Sequence, residues 1–147
     1  MSAEQNKALI RRYFQAIDAE CKSGSANADI LDQFMTANMV THSPNPEWER
    51  RGLPPNREAG KQLFKVFATA APGYHVIEDL IAEGDKVVAR IKAYGTHEGE
   101  LMGIPRTGKH IEMTGIVIWR IADGKIVEHW AEIDVAGLMQ QLRPMPA

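Results

Sequence analysis

The apolar positions of this chain change period about halfway along it. Leu9, Ile10, Tyr13, Phe14, Ile17 and Cys21 fall at helical spacing, with Arg11, Arg12, Asp18 and Lys22 on the other side. That pattern predicts an amphipathic helix over residues 3–22, ending at Ser23-Gly24-Ser25. A shorter helix is predicted over 29–35 through Ile30, Leu31 and Phe34, followed by a brief extended piece, Met39-Val40-Thr41-His42. Four of the eight prolines fall in residues 44–55, so that stretch reads as loop. Leu63, Phe64 and Phe67 restore helical spacing over 57–71, which stops before Pro72-Gly73.

Beyond Gly73 the period is two, and strands are predicted at 74–82, 86–97, 110–121 and 126–134. They are joined by Glu83-Gly84-Asp85, by a glycine-rich loop over 99–108 and by Asp123-Gly124. Asp-Gly between alternating apolar residues is the strongest short-range hairpin signal. No crossover helix separates the strands, so they form an antiparallel meander. Helices first and sheet afterwards is an α+β order. The expected architecture is a cone-shaped, curved antiparallel sheet packed with the N-terminal helices. It has one open end, and a single domain covers 1–147.

Composition narrows the classes. At 44% apolar and 24% charged the chain is an ordinary globular sequence, and a net charge of −2 with mixed signs favours neither nucleic acid nor anionic membranes. No apolar run is long enough to span a bilayer and the first residues are polar, so a cytoplasmic protein is expected. The one cysteine, Cys21, reads as a packing residue. His42, His75, His97, His110 and His129 show no metal-ligand spacing, and neither a metal nor a cofactor is expected.

The candidate chemistry lies on the last strand, Ile126-Val127-Glu128-His129-Trp130-Ala131-Glu132-Ile133-Asp134. Asp134 has two readings: a helix N-cap for the apolar segment 135–142, or a carboxylate general base in an apolar pocket. One residue can do both. Trp130, Glu128 and Glu132 share its strand parity, while His129 points the other way unless a bulge intervenes. A two-residue Asp123-Gly124 loop sets Met113 opposite Asp134, and a three-residue loop sets Glu112 there, bringing two carboxylates together. His42, before the proline loop, could overhang a pocket mouth. Trp130, Trp119, Met102, Met113 and His42 are the candidate walls, with Glu112 and His129 as further ligand contacts. The 99–108 loop lacks a phosphate-binding order and reads as an apolar, mobile lid. No Gly-x-Ser-x-Gly elbow offers a nucleophile.

Thr96-His97-Glu98-Gly99-Glu100-Leu101-Met102-Gly103-Ile104-Pro105, Thr107-Gly108-Lys109, Trp119-Arg120-Ile121-Ala122-Asp123-Gly124-Lys125-Ile126-Val127-Glu128-His129-Trp130, Asp134 and Gln140-Gln141-Leu142 together resemble the SnoaL-like polyketide cyclase (ester cyclase) family. The similarity covers roughly residues 5–142. It implies the cone fold shared with nuclear transport factor 2 and ketosteroid isomerase, usually dimeric through the sheet. It also implies metal-free intramolecular aldol closure of a polyketide ester, with Asp134 matching the acid–base aspartate. The expectation is therefore a homodimer that binds a small, apolar, carbonyl-bearing molecule. The alternatives are a non-catalytic small-molecule binding module, or an isomerase or epoxide hydrolase on the same fold.

Overall fold

The chain begins with a reciprocal cap: the Ser2 hydroxyl accepts from the Gln5 N–H, and the Gln5 side chain accepts from the Ser2 N–H. Two otherwise unpaired donors are thereby satisfied, and helix α1 runs Ala3–Ser23 until Gly24 turns left-handed at φ 77°. The computed structural model describes residues 2–42, 51–52 and 54–143. Most of the proline loop expected over 44–55 lies outside the described residues.

The second helix is not the α-helix expected over 29–35. Asn27 caps a short 3-10 helix, Ala28–Gln33, and Phe34 and Met35 then enter the sheet. There the Phe34 carbonyl accepts from the Ile126 N–H at 2.7 Å, and Met35 pairs with Ile126. Strand β1, Met35–Thr41, runs parallel to the last strand. Helix α2, Arg57–Ala70, starts at Asn56, whose side chain accepts from the Glu58 N–H. Strands β2 (Gly73–Glu83), β3 (Lys86–Thr96), β4 (His110–Ala122) and β5 (Lys125–Ile133) follow, then helix α3, Val135–Leu142.

The strand order is β1-β5-β4-β3-β2. The four expected strands do form an antiparallel meander. The sheet as a whole is mixed, because the extended piece near residue 40 is the end of a parallel fifth strand. Bulges at Glu78 in β2 and at Val127 in β5 curve it, and the β1–β5 ladder is irregular between Met35 and Val40.

The helices cover one face. Leu9, Ile10, Phe14 and Ile17 of α1 meet Val87, Ala89, Val117 and Trp119 of the sheet in the main core. A second, smaller core joins Ala70, Leu101, Ile111, Leu138 and Leu142. The 99–108 loop is tied into it. Leu101 is fully buried, it exchanges hydrogen bonds with Ile104, and the N–H groups of Glu98 and Gly99 both donate to the Ala70 carbonyl. Instead of the lid expected there, the segment forms an anchored corner. Met102 sits at its turn with φ 52°, half-buried against the second core. Among the described residues no helix is long and apolar enough to cross a membrane.

Candidate functional site

A cavity of about 290 Å³ lies between α1, α2 and the helix-covered face of the sheet. Its walls are mainly apolar. Trp119 forms the floor, with Phe14 edge-on at 5.7 Å and Tyr13 at 6.4 Å between ring centres. Phe64, Phe67 and Met113 add to the walls. Against this surface a few ionisable groups stand out: Asp18, His75 and His129.

Asp18 and His75 meet because the end of α1 is docked on the start of β2. The Cys21 thiol accepts from the Gly73 N–H at 3.3 Å. One helical turn back from Cys21 and two strand residues on from Gly73, the Asp18 carboxylate takes both donors of His75. Oδ2 accepts from the backbone N–H at 3.0 Å, and Oδ1 contacts Nδ1 at 2.6 Å. The imidazole also packs on Phe14, 5.0 Å between ring centres.

His129 lies across Trp119 on β5, facing the same cavity. Its Nδ1 is buried with no hydrogen-bond partner among the described residues. Burial, reinforced by the charge of His42, pushes its pKa down to about 4, so the ring is neutral near pH 7. Tyr13 is pushed up to about 12, chiefly by burial and then by the Asp18 carboxylate; its hydroxyl therefore stays protonated.

The residues expected from sequence divide by sheet face. Trp119, Met113 and His129 line the cavity. Trp130 and His42 do not: they stack on each other on the opposite face, 5.2 Å apart with ring planes 15° from parallel. There His42 Nε2 lies 2.7 Å from Glu128, and Arg120 donates to the same carboxylate at 2.8 Å. These two partners hold Glu128 below the usual carboxylate range. Glu112 is exposed and pairs with Lys92 at 3.0 Å. Met102 belongs to the second core.

Asp134 takes the capping position. Its side chain is exposed and Oδ1 accepts from the Gly137 N–H at 2.9 Å. It borders a depression on the sheet's outer side with Arg90, Lys92, Thr114 and Glu132. Neither expected register holds. The Asp123-Gly124 loop has two residues, but the bulge at Val127 shifts the ladder by one, and the Asp134 N–H donates to Thr114. Met113 and Glu112 are thus both out of line with Asp134.

Asp18, His75 and Tyr13 were not singled out from sequence. Asp18 was placed on the polar side of α1, yet it lies one turn (i+4) from Phe14, which is adjacent on a helix surface. His75 has the parity of Ile77, an inward-facing position of β2. Those two spacings were the available signals.

The chain matches the family described as SnoaL-like polyketide cyclase over residues 9–142. It is 32% identical over 140 residues to the aklanonic acid methyl ester cyclase DauD of Streptomyces sp. (strain C5), covering 94% of this chain and 82% of that protein. It is 34% identical over 120 residues to the nogalonic acid methyl ester cyclase of Streptomyces nogalater, covering 80% and 87% respectively. TsrD from Streptomyces laurentii superposes with a TM-score of 0.79 at 26% identity over 99% of both chains. The fold, the helix-side cavity and these similarities agree, and the chain belongs to the SnoaL-like polyketide cyclase family.

Proposed function

We propose that this chain catalyses acid–base ring closure of an apolar, carbonyl-bearing ester, the class of reaction named for its ester cyclase relatives. One observation carries the reading: an apolar cavity whose ionisable lining, among the described residues, is confined to a carboxylate–imidazole pair, a neutral imidazole, three tyrosines and a thiol. A proton between two carbonyls is acidic enough for such groups to remove. The resulting enolate carbon attacks a second carbonyl of the same molecule, and the new alkoxide takes the proton back. Folding a flexible chain so that its ends meet supplies much of the rate, since effective molarities for well-oriented partners reach about 10⁵ M or more. The neutral His129 ring supplies a hydrogen bond to a carbonyl without introducing a charge.

The probe is ethyl benzoylacetate in D₂O, with exchange of its acidic C–H followed by NMR. The protein should accelerate exchange over buffer. Binding of the ester without acceleration would instead establish a module that holds its ligand unchanged, the reading favoured by the exposed, capping position of Asp134.

Asp134→Asn examines the aspartate that the resemblance implies. Asparagine caps nearly as well, so the stability cost should stay below about 1 kcal/mol in urea denaturation. We expect exchange to continue near the wild-type rate. A fall of about 10²-fold or more would place the base at Asp134.

The assembly we propose is a homodimer through the outer face of the sheet. That face leaves Ile81 61% and Ile116 50% exposed, with Tyr74 and Val76 beside them. Ion pairs joining Arg90 to Glu78 and Asp79, and Lys92 to Glu112, lie among them. An antiparallel face that meets only water carries polar residues at alternate positions. Packing on a second copy should bury about 2,000 Å² or more in total. Light scattering should report twice the 16.4 kDa chain mass, and Ile116→Lys should return it to the monomer. A wild type that is monomeric at micromolar concentration would refute the interface.

A further inference from the structure

We propose that His75, oriented by Asp18, is the group that takes and returns the proton in this cavity. The assignment rests on the acid–base reading above and adds to it the atom involved. Asp18 grips His75 at two points, the backbone N–H at 3.0 Å and Nδ1 at 2.6 Å. A carboxylate accepts and does not donate, so Nδ1 carries the hydrogen. In the neutral ring the lone pair is then on Nε2. That atom has no hydrogen-bond partner among the described residues, and the side chain, 28% exposed, lines the cavity.

This is the arrangement a general base requires: one ring nitrogen fixed by a carboxylate, the other free toward the ligand. The ring is held by its Nδ1 contact with Asp18 and packs on Phe14 at 5.0 Å between ring centres. Among the described lining residues Asp18 is the sole carboxylate, and no lysine or arginine is present. An imidazolium formed at His75 therefore has its counter-charge in direct contact. His129 is a poorer candidate for the role, because its buried Nδ1 has no partner among the described residues to orient the ring.

The step balances without a further reagent. Nε2 removes a proton from the carbon flanked by two carbonyls, and the C–H electron pair becomes the enolate. The enolate carbon forms the new C–C bond at a ketone or aldehyde carbon, whose π pair moves to oxygen. Nε2–H then returns the proton to that oxygen.

The experiment compares wild type, His75→Gln and Asp18→Asn in the exchange of ethyl benzoylacetate in D₂O. Saturation-transfer NMR measures ester binding on the same samples, and thermal melts confirm the fold. His75→Gln should lose about 10²-fold or more in exchange rate while still binding the ester. Asp18→Asn should lose at least about tenfold, because the tautomer is no longer fixed. The loss should fall on the exchange rate at saturating ester while ester binding and the melting temperature stay near wild type, a split that a purely structural role for Asp18 would not give. If the wild type accelerates exchange and both variants match it, the assignment fails and the acid–base reading stands. If the wild type gives no acceleration, both fall together.

Discussion

Gly73→Ala should destabilise the protein by about 3 kcal/mol or more, at or beyond the upper end of ordinary overpacking. Gly73 and Gly95 face each other where β2 leaves the end of α2 and crosses β3. A Cβ at Gly73 would fall inside the contact shell of the Tyr94 carbonyl oxygen and within 2.7 Å of the Gly95 Cα. One at Gly95 would lie 2.6 Å from the Ala71 carbonyl oxygen. These neighbours are backbone and cannot rotate aside, so the strands must part. The consequence reaches the cavity, because the same crossing holds the Gly73 N–H on Cys21 and brings His75 to Asp18. Gly60→Ala is the contrast. Among the described residues its Cβ would meet only Leu31 Cδ1, at 3.7 Å, inside α2. Alanine there should stabilise by about 0.5–1 kcal/mol through helix propensity. Urea denaturation of the two variants measures both, and a Gly73→Ala protein as stable as wild type would mean the strand ends can separate without cost.

Acidification should remove about 3 kcal/mol of stability through His129. Its folded pKa is lowered to about 4 from the ordinary imidazole value of 6.5, and each unit corresponds to about 1.4 kcal/mol. Between those values the unfolded chain binds the proton and the folded protein does not, so stability rises with pH across the window. The contribution is fully present above pH 6.5, is lost progressively as pH falls toward 4, and changes no further below that. His129→Leu should reduce the slope of stability against pH in that window by about one proton. Denaturation midpoints at several pH values would show it. An unchanged slope would mean that His129 protonates without penalty and that its end of the cavity is wet.

Local patterns were legible wherever one short stretch contained its own instructions. The Asp123-Gly124 turn adopts φ 50° and 74°, as a two-residue hairpin requires. The four long strands, α1 and α2 lie within a residue or two of their expected ends. Asp134 starts α3 as the cap that its position before Val135 suggested. What escaped was every feature set by a partner distant in sequence. Residues 35–41 have no strong strand pattern of their own, and they become β1 because β5, about 90 residues later, supplies the ladder. The bulge at Val127 is decided by how β5 bends over the core, and it shifts the Asp134 register by one residue.

Amino-acid order by itself therefore determined the α+β class, the helix-then-meander succession, the family and the alternation that puts His129 and Trp130 on opposite faces. Only the tertiary structure decided which face is the cavity. It turned Trp130 and His42 outward, left Asp134 exposed, and joined Asp18 to a histidine 57 positions away. The physical reason is that periodicity marks two faces of a strand or helix, whereas burial of one of them depends on what docks against it. Here α1 lies on the Trp119 face, and the apolar cavity lies under it.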